Sequence, residues 1–209
     1  MNIFVEPGNP RLSMPVEEVA VEQITTPAVQ AMIDKMYEVA APERSNPEAK
    51  VMVGLAAPQI GIYKQIILVD FSVTATRRDL GELKAFINPK IVWRSEEKEL
   101  EREGCYSVDG RICGAIVRPS RIRFTAYDRD GAFIEQELEG FTARIFQHEV
   151  DHLEGVRFPD RVDSGSTLHW VEEHQFPEYR KNWRQWPHIV PQEVWQAMKQ
   201  GHPVSLSCS

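Results

Sequence analysis

Residues 147–155 read QHEVDHLEG, and this stretch limits the folds open to the chain more than any other. The segment around it starts after Gly140 and stops at Gly155, a residue type suited to ending a helix. At about 100° per residue, Phe141, Ile145, Phe146, Val150 and Leu153 form one apolar arc. His148 and His152 fall about 40° apart, with Glu149 on the same side and Arg144, Gln147 and Asp151 on the other. Two imidazoles and a carboxylate therefore point inward, where an unpaired glutamate is costly and a cation removes the difficulty. With 6 histidines in 209 residues, such a His-Glu-x-x-His pattern arises by chance in about 2% of chains. Imidazoles at this spacing bind Zn2+ or Fe2+, and the glutamate between them can act as a general base.

Two ligands do not complete a site. A catalytic metal needs a third protein ligand and an open position. Downstream, Glu154 stands at a poor angle, while Glu172, Glu173 and His174 would give a zinc-peptidase arrangement. Upstream, Cys105 lies in REGCYSVDG (102–110), in a glycine-preceded turn between strand-like segments. The cysteines are three, at 105, 113 and 208. With no export signal at the N-terminus, that sparse set speaks for a reducing cytosol and for a ligand or nucleophile rather than a staple. Between these candidates the spacing does not choose. A further stretch, VMVGLAAPQIG (51–61), places Gly54, Ala56 and Ala57 where backbone can approach a ligand closely. Gln59 follows them, and its amide can donate to an oxyanion.

The chain is long enough for one ordinary core. Its net charge is −7, with no lysine or arginine stripe, so direct nucleic-acid binding is not expected. The strongest apolar run, IILV at 66–69, is far too short to span a bilayer. Residues 1–25 read as irregular, broken by Pro7, Pro10 and Pro15. Thr26 and Pro27 open a helix over roughly 27–40, and 41–50 reads as a loop. Strands are expected at 65–71 and at 85–94, the latter broken at Pro89. RIRFTAY (121–127), the turn DRDG and AFIEQEL form a hairpin. Beyond 160, Trp170, Trp183, Trp186 and Trp195 stand among prolines, which predicts short helices and loops packed on the body. The expected fold is α+β, with mostly antiparallel strands around a central metal-binding helix. A catalytic unit over 1–160 carries a tryptophan- and proline-containing extension over 161–209.

Taken together, MVGLAAPQ (52–59), EGCYS (103–107) and QHEVDHL (147–153) resemble three ordered motifs of the peptide deformylase family. These are G-x-G-L-A-A-x-Q, E-G-C-L-S and Q-H-E-x-D-H-L. GNPRL (8–12) resembles the family's opening, and the resemblance spans roughly residues 5–160. It implies a cytoplasmic, metal-dependent hydrolase that removes the N-formyl group from N-formylmethionyl peptides, including ribosome-associated nascent chains, and releases formate. It further implies that Cys105, His148 and His152 hold Fe2+, for which Zn2+, Ni2+ or Co2+ can substitute. Glu149 would take a proton from water and return it to the departing amine. The Gln59 amide and the Tyr106 backbone N–H would stabilise the oxyanion. Gly54 would admit the substrate backbone, and Phe141, Arg144 and Ile145 would line the methionine pocket. This chain departs from the pattern in three places. Met52 replaces a glycine and is expected to narrow the groove. Tyr106 replaces a leucine and is expected at its entrance. Arg118 stands thirteen rather than twelve residues after the cysteine and is expected to pair with Glu103. Neither the resemblance nor the residues assign an oligomeric state or a task for the extension.

Overall fold

The computed structural model describes residues 3–41, 52–72 and 82–202; nearly all of the 41–50 loop, Pro203 and Cys208 lie outside them. In chain order come α1 (Pro27–Ala40), β1 (Gly54–Ala56), β2 (Ile66–Asp70), β3 (Leu83–Arg94), β4 (Lys98–Glu103) and β5 (Ile112–Pro119). There follow β6 (Arg121–Tyr127), β7 (Phe133–Glu139), α2 (Gly140–Leu153), β8 (Thr167–Trp170), α3 (Phe176–Asn182), β9 (Ile189–Val190) and α4 (Gln192–Lys199). The strands form two sheets, ordered β1-β2-β3-β6-β7 and β4-β5-β8-β9, and neighbours pair antiparallel in both. The fold is α+β, as the sequence predicts. No helix among the described residues is long and apolar enough to cross a membrane.

The first sheet is covered on both faces, which explains the unbroken apolar run of β2. Ile66 and Leu68 pack toward α1, with Val29, Ile33 and Met36, while Ile67 and Val69 pack toward α2. Phe146 of α2 meets Phe86 edge-on at 5.5 Å between ring centroids and lies 4.1 Å from Phe124. Burying each such ring contributes about 1.5–3 kcal/mol. The helix start at 27 is as expected, but the Thr26 hydroxyl donates back to the Gln23 carbonyl rather than capping α1.

Strand β3 corrects the expected break at Pro89. It runs through the proline because its register against β6 shifts between Ile87 and Lys90. Asn88 takes up the bulge at φ 51°, a left-handed conformation that asparagine tolerates better than most. Its side chain then bonds Val19 twice, accepting from the amide at 2.8 Å and donating to the carbonyl at 2.7 Å. The bulge thereby ties the N-terminal arm to the sheet.

Helix α2 also differs from the amphipathic reading. Arg144, Gln147 and Asp151 were placed on the side away from the histidines, yet all three are buried. The second sheet covers that side: Arg144 donates to the carbonyls of Glu99 and Ile116, and Gln147 to that of Pro119. The helix is enclosed between sheets, and its charges survive burial because they are paired. At its end Gly155 adopts φ 72°, and a Cβ there would lie 2.6 Å from the backbone of Ser13 and Met14. The N-terminal arm crosses the helix end at this point, and the Val16 amide bonds the Leu153 carbonyl at 2.9 Å.

The tail is more than helices and loops. β8 pairs with β5, from Ile112 opposite Trp170 to Ala115 opposite Thr167, and β9 pairs with β8. Residues beyond 160 thus supply two of the four strands of the second sheet. Trp170, Trp183, Trp186 and Trp195 are all buried, in clusters that include residues of β5.

Candidate active site

Three pieces of chain converge. The turn after β4 carries Cys105, the turn after β1 carries Gln59, and α2 carries His148, Glu149 and His152. The Cys105 sulfur lies 3.2 Å from His152 Nε2. One ligand atom each from Cys105, His148 and His152 falls within 4.8 Å of the others. Among the described residues this is the group that could hold a metal ion. Glu154, Glu172, Glu173 and His174 do not join it, and Glu172 instead accepts from the Trp170 indole.

The ring of His148 is oriented from behind. Its Nδ1 lies 2.8 Å from Glu103 Oε2, which leaves Nε2 for the site. Glu103 in turn accepts from Arg118 Nε at 2.6 Å, Arg118 Nη2 at 2.9 Å and Arg144 Nη1 at 2.7 Å. Arg118 extends to Asp151 at 2.8 Å, and Asp151 meets Arg161 at 2.5 Å. The expected Glu103–Arg118 pair is present and belongs to a larger buried network. Burial alone would raise Glu103, but the Arg118 charge and the hydrogen bonds from His148 and Arg118 hold it well below the usual carboxylate range.

Electrostatics separate the remaining groups. Burial would raise the Cys105 thiol, yet the His152 charge and hydrogen bonds from both imidazoles pull it well below its ordinary value. The shift favours the thiolate, the form that metals bind. Glu149 goes the other way: burial pushes it up to about 7 against the opposing pull of His148 and His152. Glu149 Oε2 and His152 Nδ1 are buried without a hydrogen-bond partner.

The Gln59 amide is fixed at both ends. Its Oε1 accepts from the Ala56 backbone at 2.7 Å, so Nε2 faces inward. That nitrogen donates to Ser107 Oγ at 3.2 Å and approaches the Cys105 sulfur at 3.5 Å. The Ser107 backbone N–H also donates to that sulfur, at 3.4 Å. Ser107 closes the EGCYS motif, but its residue type alone assigns it no role.

Gly54 has a reason of its own. A Cβ there would strike the Glu149 carboxylate and lie 2.8 Å from Ile145 Cγ2. Among the described residues β1 is also an edge strand of its sheet, with one side unpaired. Gly54→Ala is expected to keep the fold but displace Glu149, with formate release falling roughly tenfold or more. A wild-type rate in that variant would show that Glu149 has room to spare.

Other expected residues distribute unevenly. Ile145 is buried and Phe141 partly so, both on the α2 side of the first core. Arg144 is drawn into the ion network and two backbone carbonyls, so its guanidinium is not available to line a pocket. Met52 does not face the groove. It lies just before β1 and is buried among Val19, Ile24, Met36 and Leu55 on the α1 side, against the parity of Gly54 and Ala56, which face α2. Tyr106 is half-exposed and stacks on Phe4, with ring centroids 4.8 Å apart and planes 5° from parallel.

Residues 1–167 match the family model described as polypeptide deformylase. A peptide deformylase of Bordetella pertussis is 37% identical over 184 residues, covering 87% of this chain and 98% of that protein. One from Halothermothrix orenii is 38% identical over 158 residues, covering 74% and 89%. Among solved structures, a class I type b peptide deformylase from Acinetobacter baumannii, bound to Met-Ala-Ser, superposes with a TM-score of 0.66. It is 30% identical and covers 76% of this chain and 96% of its own. The alignments run across the convergent cysteine, histidines and glutamate, and the chain belongs to the peptide deformylase family, metal-dependent hydrolases that remove the N-formyl group from N-formylmethionyl nascent peptides.

Proposed function

We propose that Cys105, His148 and His152 hold the metal, that Glu149 carries the proton, and that Gln59 Nε2 and the Tyr106 backbone N–H receive the developing oxyanion. One thiolate with two imidazoles suits Fe2+ and Zn2+, and also admits Ni2+ or Co2+; the native ion on this reading is Fe2+. The fit rests on the protein's own groups. Three donors converge within 4.8 Å, and Glu103 fixes the ring of His148 from behind. Such support is typical of histidines that ligate. When bound, the metal supplies the Lewis acidity that makes water a nucleophile near neutral pH.

The remaining steps belong to the chain. Glu149 takes a proton from water as it attacks the formyl carbon, and an Oε2 with no hydrogen-bond partner among the described residues supports that role. With its pKa pushed up to about 7, it can both take that proton and pass it to the amine nitrogen as the C–N bond breaks. Gln59 Nε2 and the Tyr106 N–H donate to the carbonyl oxygen as it gains charge. The A. baumannii relative binds Met-Ala-Ser, a peptide of the product class. An extended peptide can add to the free edge of β1 at Gly54–Ala56 by strand pairing. Ile145 and Phe141 then line the methionine side chain, and Tyr106 stands at the rim.

Residues 1–160 carry this chemistry and 161–209 form the extension. That extension has five cations (Arg161, Arg180, Lys181, Arg184, Lys199) and five anions (Asp163, Glu172, Glu173, Glu178, Glu193). It offers no basic stripe for RNA, so the link to the ribosome runs through the nascent substrate, in the cytoplasm.

The observation that carries the reading is the convergence of Cys105 with the two histidines. Cys105→Ser tests it by metal analysis. Removing a ligand should lower bound metal by more than about tenfold, since losing even a supporting residue costs 10–100-fold. Metal retained in full would favour the peptidase arrangement with a distal glutamate ligand. Formate release from a formyl-Met peptide, measured on the same preparation, tests the activity.

A further inference from the structure

The family match ends at residue 167, yet α4 lies beyond it and reaches toward the site through one side chain. Arg157 follows α2 and is fully buried. Among the described residues its guanidinium has no carboxylate partner. Nη1 donates to the carbonyls of Pro7 and Ser107, the latter at 2.9 Å, and Nη2 donates to Ser13 Oγ at 3.2 Å. Trp195 of α4 covers it, with the guanidinium carbon 4.6 Å from the ring centroid. An indole face is the aromatic surface that attracts a cation most strongly.

Trp195 is itself held. Its Nε1 donates to Asp160 Oδ1 at 2.8 Å, and Lys199 of the same helix reaches Asp160 Oδ2 at 2.8 Å. The Arg157 backbone N–H donates to that Oδ2 at 3.0 Å, so Asp160 joins arginine and tryptophan from below. Gln192 adds a bond to the Pro159 carbonyl at 2.9 Å. α4 is thus docked on the segment that carries Arg157.

At the other end, Ser107 faces the reacting groups. Its carbonyl is held by Arg157, its hydroxyl accepts from Gln59 Nε2, and its N–H donates to the Cys105 sulfur. The turn at 104–109 has no strand or helix of its own and depends on such bonds for its geometry. We propose that α4 positions the oxyanion donor through a relay: Trp195 holds the Arg157 guanidinium, Arg157 holds the Ser107 carbonyl, and Ser107 holds the Gln59 amide. Trp195 and Arg157 are positioning residues, and the extension is part of the catalytic apparatus. This inference rests on the reading of Gln59 as a donor.

The test compares Trp195→Leu with Trp186→Leu. Trp186 is buried in the same extension, bonded to the Trp170 carbonyl and packed on Tyr179, and it does not touch Arg157. Trp195→Leu should lower kcat for formate release about tenfold with KM within about twofold and metal content unchanged, since small misplacements at a reacting centre cost this much. Trp186→Leu should lower Tm comparably and leave kcat alone. Trp195→Phe keeps a ring over Arg157 and should restore kcat to within about twofold. An equal kcat loss in Trp186→Leu, or no recovery in Trp195→Phe, overturns the relay. Should Trp195→Leu not fold, Arg157→Lys keeps the charge and loses the fork; it should show the same kcat loss, and full activity there overturns the relay. Gln59→Ala separates the two levels. If it keeps full kcat, the donor reading fails whatever α4 does. If it loses about 10²–10³-fold while Trp195→Leu is fully active, the relay alone fails.

Discussion

Glu149→Gln is expected to give a folded, metal-loaded protein that releases formate about 10²–10⁴-fold more slowly than wild type. The amide keeps the shape of the carboxylate but cannot take a proton from water or pass one to the leaving amine. The same change should raise Tm. Glu149 is buried with one oxygen unpartnered, and burial already pushes its pKa to about 7, so the carboxylate is held at a cost to the fold. A neutral amide costs less to bury than a carboxylate. Opposite signs in rate and Tm mark a group kept for chemistry. Formate release within about tenfold of wild type would place the proton transfer on another group.

Arg118→Met should be the most destabilising single change among the polar core residues, by about 3–5 kcal/mol in denaturant unfolding at neutral pH. It removes the cation shared by Glu103 and Asp151 and leaves both carboxylates buried, with Arg144 and His148 remaining to Glu103 and Arg161 to Asp151. The pH dependence follows from Glu103. In the wild type its pKa is depressed. Its contribution is therefore fully present above the unfolded value near 4.3 and is lost as pH falls through the folded value below that. Without Arg118 the largest opposing charge to burial is gone and the folded pKa rises. The gap between variant and wild type should then be widest at neutral pH and narrow as acid protonates Glu103. A gap that stays constant from pH 7 to pH 4 would show that the network's charge is not what Arg118 supplies. A loss under about 1 kcal/mol would show that Arg144 and Arg161 suffice.

What the sequence reveals follows from how local each signal is. α1, β2, the β6–β7 hairpin and α2 carry their own periodicity and were legible. β4 is legible only as a strand-like segment before the Cys105 turn, without bounds, because KELERE is polar and its first half exposed. β3 was legible except at Pro89, where the rescue by Asn88 depends on Val19, 69 residues away in sequence. β8 and β9, four and two residues long, are strands only because β5 offers an edge. The same division holds in the site. The residues with intrinsic chemistry, Cys105, His148, Glu149, His152 and Gln59, announce themselves by type and motif. The parts of Ser107 (a motif residue with no role of its own there), Arg157 and the enclosed Arg144 do not, since they come from whichever backbone carbonyl or ring the fold brings alongside. Met52 shows the converse: a motif position suggests the groove, and the irregular chain before β1 turns the side chain into the core beside α1.

The pairing of β8 with β5 bears on how the protein is made. Synthesis delivers β5 with β4 already beside it, but the strand's other neighbour is residues 167–170, and α4 emerges later still. Until then β5 has a bare edge of unpaired amides and carbonyls, which invites pairing with other chains. A product cut short near residue 165 would own every group named for the chemistry and still present that edge. The closing strands therefore distinguish a finished molecule from an aborted one, so that possession of the reactive residues and readiness to work are separated in time.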